Sequence, residues 1–124
     1  LNPKLLLDLT NDLRGGSPLE LDDLLSKAAQ GHADWMAKKS RMSHRGKEFS
    51  SPSDRVKDQG YSFLAVAENV AAGYRSEEDV IKAWYRSLGH RRNMLNKSYS
   101  ECGFGCRDSQ NGKLYWCAVY AKPR

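Results

Sequence analysis

Two histidines and one glutamate have the side chains and settings for shared chemistry. His44 and His90 both lie in polar, glycine-flanked segments, Ser43-His44-Arg45-Gly46 and Leu88-Gly89-His90-Arg91. Such segments read as connections between scaffold elements, where binding and catalytic groups concentrate. Glu68 is a lone acid inside the mostly apolar stretch from Ala65 to Ala72. An acid there either faces solvent at a strand edge or meets a partner, because burying it alone is costly. Two imidazoles and a carboxylate make a three-ligand set for zinc or another divalent cation, with a fourth position for water. Without metal, the same groups supply a general base and its orienting partners. The three segments lie far apart and share no compact motif such as His-Glu-x-x-His, so spacing leaves both readings open. The third histidine, His32, falls on an apolar helical stripe and reads as a hydrogen-bonded core residue.

Helices and strands must carry these groups. Leu5, Leu6, Leu9 and Leu13 recur at helical spacing and predict a first helix over Pro3–Arg14, stopped by Gly15-Gly16. A second helix is expected from about Leu21 to Lys39. Its apolar stripe runs through Leu25, Ala29, His32 and Met36 and is wide enough to pack on a sheet. The polar stretch from Ser40 to Phe49 then reads as the loop that bears His44. Ser51, followed by Pro52, opens a short third helix that Gly60 ends. Tyr61 to Tyr74, which holds Glu68, has room for a short strand. Ser76-Glu77-Glu78-Asp79 signals another helix start, and that helix is expected to end by Gly89. A helical turn from His90 to Asn96 follows.

The chain finishes as a hairpin, Ser100 to Arg107 and Lys113 to Ala121, around Asn111-Gly112, a strong two-residue turn signal. That turn pairs Gln110 with Lys113 and sets Cys106 directly opposite Cys117. Directly opposed residues have Cα atoms roughly 4.5–5.5 Å apart, within reach of a disulfide. A Cys106–Cys117 bridge is therefore expected, and with it an oxidising compartment. Cys102 is expected to be free. In this register Phe104, Cys106, Cys117 and Val119 share one face, while Gly103 and Gly105 leave room for another element to approach.

Helices followed by an antiparallel hairpin point to an α+β sandwich rather than a parallel-sheet fold. The length, 124 residues, suits one domain spanning 1–124. No apolar run approaches the roughly 20 residues of a membrane span. The formal net charge of +5 is modest, and basic residues do not alternate with aromatics, so no nucleic-acid partner is expected. Lys38, Lys39 and Arg41 form one small basic cluster, and Arg91 and Arg92 another. A solvated face explains them, with attraction to an anionic polymer or membrane surface as the alternative.

The motifs also occur in a recognisable order. Ser43-His44-x-Gly46 is followed by Ala67-Glu68-Asn69-Val70, then by Trp84-Tyr85-Arg86-Ser87-Leu88-Gly89-His90-Arg91-x-Asn93-Met94-Leu95. Cys102-Gly103-Phe104-Gly105 and Tyr115-Trp116 complete the series. This order resembles the bacterial branch of the CAP superfamily (cysteine-rich secretory protein, antigen five, pathogenesis-related), whose unit is the SCP domain. The similarity covers essentially the whole chain, and Trp84 to Leu95 is its most specific part.

The resemblance implies a three-layer α-β-α sandwich with a central antiparallel sheet, and secreted, extracellular or periplasmic residence. It further implies a cleft in which His44, Glu68 and His90 gather, lined by Asn69 and Ser87, with zinc or another divalent cation as cofactor. The family's second glutamate falls at Ser87, which weakens any mechanism requiring two carboxylates. A secreted, monomeric binding domain with a lipid-like, sterol-like or peptide-like ligand is the first expectation. A zinc-dependent hydrolase using Glu68, or a non-catalytic adhesion module of a larger cell-surface protein, is the alternative.

Overall fold

In the computed structural model, which describes all residues from Leu1 to Arg124, the helices begin where short polar side chains cap them. Helix α1 (Pro3–Arg14) follows Asn2, whose side chain accepts from the Leu5 N–H. Helix α2 (Asp23–Lys39) follows Asp22, whose carboxylate accepts from the N–H groups of Leu24 and Leu25. Helix α3 (Pro52–Asp58) opens with a capping box: Ser51 and Asp54 each accept from the other's backbone N–H. Helix α4 (Glu77–Arg86) is capped by Ser76 and carries three acids in its first turn, which complement its dipole. Helix α5 (Leu88–Leu95) follows after a single extended residue, Ser87.

Four strands form one sheet in the order β1-β3-β4-β2: β1 (Glu20–Leu21), β2 (Phe63–Ala72), β3 (Glu101–Asp108) and β4 (Leu114–Pro123). The long strands pair antiparallel, and only the two-residue β1 runs parallel to its neighbour β3. Leu21 thus belongs to a strand, and the second helix starts two residues later than its apolar stripe suggests. The fourth helix ends at Arg86, within the expected limit at Gly89, and Gly89 itself lies inside α5.

Side chains alternate between the two faces of the sheet. On one face Phe104, Trp116, Ala118 and Tyr120 pack with Leu6, Ile81, Trp84 and Met94 from α1, α4 and α5. On the other, Val70, Cys117, Val119 and Ala121 pack with Leu25, Ala29, Met36 and Val56 from α2 and α3. The result is the expected α-β-α sandwich. α2 lies directly on β3, because a Cβ at Gly103 would overlap the backbone of Leu25 and Ser26, and one at Gly105 would meet that of Gln30. The Gln30 side chain also completes the β3 edge: its amide donates to the Cys106 carbonyl and accepts from the Cys106 N–H.

The hairpin corrects the expected register. Its reversal spans residues 109–113, with Gly112 at φ 81°, so Asp108 rather than Gln110 is the last residue paired before the turn. The Asn111-Gly112 pair sits inside a longer loop. A one-residue slip moves every side chain to the opposite face. Cys106 therefore faces Trp116, and Cys117 faces Gly105. Cys106 packs against the α1–α4–α5 layer while Cys117 lies in the α2–α3 layer. The Cys106–Cys117 bridge does not form, and all three cysteines are free thiols. Phe104 and Cys106 accordingly do not share a face with Cys117 and Val119.

Candidate functional site

β2 is an edge strand, and consecutive residues on it reach to opposite layers. Glu68 points towards α2, α3 and the loop between them; Asn69 points towards α5. Glu68 has a side chain only 1% exposed, but it is not alone. Its Oε1 accepts from His44 Nδ1 at 3.0 Å, and its Oε2 accepts from Arg55 Nη2 at 2.6 Å. The Cys117 thiol donates to the same Oε2 at 3.5 Å. Burial pushes the Glu68 pKa up, but the His44 hydrogen bond and the charge and hydrogen bond of Arg55 outweigh it and hold the carboxyl below its ordinary value. Glu68 is an anion at neutral pH. An ionised carboxylate only accepts, so His44 Nδ1 must carry the proton of their hydrogen bond, which leaves Nε2 as the outward nitrogen. The His44 side chain is 55% exposed. The Glu68 bond raises its pKa, against the opposing effect of burial.

Arg55 ties this cluster to the chain around it. Its guanidinium donates to the carbonyls of Ser50 at 2.8 Å and His44 at 3.0 Å as well as to Glu68. The loop that carries His44 is thus held from beneath. His32, as expected, is a core residue: its Nε2 donates to the Ser43 carbonyl at 2.6 Å, and its ring stacks on Trp35. Burial lowers its pKa, so the ring is neutral and its 3.8 Å approach to Glu68 is no ion pair. With Nε2 protonated, Nδ1 is a bare acceptor, and it is buried without a hydrogen-bond partner. Gly46 closes over that nitrogen; a Cβ there would come within 2.8 Å of it.

His90 comes from the other layer. Asn69 Nδ2 donates to its carbonyl at 3.0 Å, and Asn93 Nδ2 donates to Asn69 Oδ1 at 2.9 Å, so these amides staple α5 onto β2. Burial first, and then the charge of His44, lower the His90 pKa. No hydrogen bond or ion pair joins the His90 ring to Glu68, which pairs with His44 and Arg55. Asn69, expected to line the cleft, is completely buried and acts as the staple. Ser87 marks the break between α4 and α5, and its side chain makes no capping bond.

The expected three-donor zinc set is not assembled. Both Glu68 oxygens are committed, one of them to a guanidinium, and no group of three or more His, Cys, Asp or Glu side chains is gathered to hold a metal ion. Arg55, which no sequence motif singles out, supplies the positive charge beside Glu68 instead. A buried acid demands a cation. Nothing in the sequence, however, selects Arg55 from among 20 lysines and arginines.

Residues 7–120 match the model of the cysteine-rich secretory protein family. The chain belongs to this CAP family. It is 38% identical over 109 residues to the uncharacterized protein YkwD of Bacillus subtilis, covering 86% of this chain and 42% of that one. Among solved structures, an extracellular SCP-domain protein from Bacillus anthracis superposes with a TM-score of 0.88 at 25% identity, covering 97% of this chain and 40% of that one. An outer surface protein of Borrelia burgdorferi superposes with a TM-score of 0.84 at 21% identity, covering 98% and 89%, and shows the shared fold. This CAP domain therefore spans under half the length of YkwD and of the Bacillus anthracis protein. None of its helices is long and apolar enough to cross a membrane.

Proposed function

We propose that this CAP domain is an extracellular binding module that presents His44 to a peptide-like ligand at the β2 edge. The observation that carries the reading is the buried Glu68 carboxylate, locked between Arg55 and His44 Nδ1. It fixes the tautomer and direction of a half-exposed imidazole whose Nε2 is left for a partner. A side chain pre-oriented in this way loses little freedom when it binds. The half-exposed His44 ring offers a ring nitrogen that can hydrogen-bond, which suits a polar ligand better than a lipid or sterol. Extracellular residence is supported by the relatives named above.

A hydrolytic role is less well supported. Glu68 is the only carboxylate at the site, and with its pKa depressed and Arg55 attached it is a weak proton acceptor.

Selection of a displayed random-peptide library against the whole chain tests the proposal. Recovered peptides should lose at least about tenfold in affinity on His44→Ala, or about 1.4 kcal/mol, with the fold retained as read by circular dichroism. Peptides that bind wild type and His44→Ala equally would overturn it. Saturable uptake of a sterol, with no peptide recovered, would replace the ligand class.

A further inference from the structure

The loop from Arg41 to Phe49 shapes a second concave surface on its other side, against the end of α2. This open groove encloses about 810 Å³. Five cationic residues line it: Lys38 and Lys39 from the last turn of α2, then Arg41, Arg45 and Lys47 from the loop. All five are exposed, and none takes part in any of the ion pairs of the fold. Of the two acids in the groove, Asp34 is already paired with Arg107, which leaves Glu48 alone against the five. The helix dipole accounts for Lys38 and Lys39 at a C-terminus. It does not account for three more cations, Arg41, Arg45 and Lys47, beyond the end of α2 and facing the same space.

Two aromatic rings share the groove. Trp35 is half-buried at its wall, and Phe49 stands at its rim with 78% of its surface exposed. Phe49 and Glu48 both adopt left-handed backbone conformations, φ 62° and 54°, which bulky side chains rarely take. Hydrogen bonds from Gly46 N–H to the Ser50 carbonyl and from Phe49 N–H to the Gly46 carbonyl pin this turn. The fold gains no burial from Phe49 in return. Strain held in place without a packing reason is a mark of a ligand clamp.

We propose that this groove is a second binding site, for an acidic polysaccharide whose sugar rings carry carboxylate, sulfate or phosphate groups. The unpaired cations match the acidic groups, and the two rings match the apolar faces of sugars. One free ring and one half-buried ring suit occasional contacts with sugar rings rather than a ladder of stacked bases. Its lining includes none of His44, Glu68 and His90, and the proposal does not depend on the function proposed for them.

Calorimetry with a size-defined heparin oligosaccharide, on the whole chain, tests this. Lys38→Glu/Lys39→Glu should weaken binding at least about tenfold and flatten its salt dependence. Lys82→Glu/Lys97→Glu, an equal charge change on exposed residues elsewhere, should alter it less than about threefold. Phe49→Gly, which removes the ring and suits the left-handed backbone, should weaken heparin binding while leaving that of inorganic polyphosphate unchanged. His44→Ala should leave both unchanged. Equal losses in the two charge-reversal variants would overturn the site. Equal losses of heparin and polyphosphate on Phe49→Gly would overturn the ring contact and with it the ligand class. Tighter binding of a single-stranded oligonucleotide or of phosphatidylglycerol vesicles than of heparin would likewise overturn the polysaccharide assignment.

Discussion

Arg14 and Arg55 are both nearly enclosed by the fold, yet they are used in opposite ways. Arg14, at the end of α1, donates only to carbonyls: Ser17 at 2.6 Å, Met94 at 2.6 Å, Asn96 at 3.1 Å and Tyr99 at 2.9 Å. It ties off the chain end of α5 and the segment leading into β3. Arg55 also gathers carbonyls, but its shortest bond goes to a carboxylate that in turn holds a half-exposed histidine. Carbonyl oxygens do not titrate over the physiological range, whereas carboxylates and imidazoles do. The first cluster is therefore a fastener whose strength is nearly independent of pH. The second is a hydrogen-bonded chain of three groups, open to solvent at the His44 end.

The largest effect should come from breaking the fastener. Arg14→Met leaves several buried carbonyls without donors and should cost about 3–4 kcal/mol of unfolding free energy, read from urea denaturation. That loss should be the same at pH 5 and pH 8. A strongly pH-dependent loss would show that the two clusters are not different in kind. Arg55→Gln should cost somewhat less, about 2–3 kcal/mol, because Glu68 keeps the His44 hydrogen bond. It should also raise zinc affinity in calorimetry, since the guanidinium that occupies Glu68 Oε2 is gone. Unchanged zinc binding would remove Arg55 from its role as the built-in cation.

The smallest effect is the most diagnostic. The folded His44 pKa is raised above its ordinary 6.5, so the protonated pair with Glu68 stabilises the fold fully below that value. The contribution is lost as pH rises above 6.5 through the folded pKa. His32 and His90 act in the opposite sense: their pKa values are depressed, so their share is lost as pH falls below 6.5. Comparing wild type with His44→Gln isolates the first term. Their stability difference should be largest at acid pH and shrink as pH rises. His44 is more than half exposed, so the whole swing should stay below about 1 kcal/mol.

Much of this arrangement was legible from the chain alone. Local hydrogen bonding marks helix starts, so Ser51 with Pro52, and Ser76 with its following acids, located α3 and α4. A partner for Glu68 was only one of two readings of an acid in an apolar strand, and it was the family resemblance that set His44 beside it. The hairpin register was not legible. β4 is buried on both faces from Tyr115 to Ala121, so it lacks the polar alternation that would tell one face from the other. Asn111-Gly112 suggested the shorter turn, and nothing in the strand opposed it. Arg55 was hidden for another reason: on a short, otherwise polar helix, a buried arginine and a solvated one look alike.

The slipped hairpin also bears on how the domain comes into being. With its sulfur atoms divided between two walls of the sheet, the chain needs no oxidant to reach its native shape and no thiol exchange to correct it. Those steps are among the slowest in the maturation of disulfide-bonded domains. A reductant finds no cross-link here to cut.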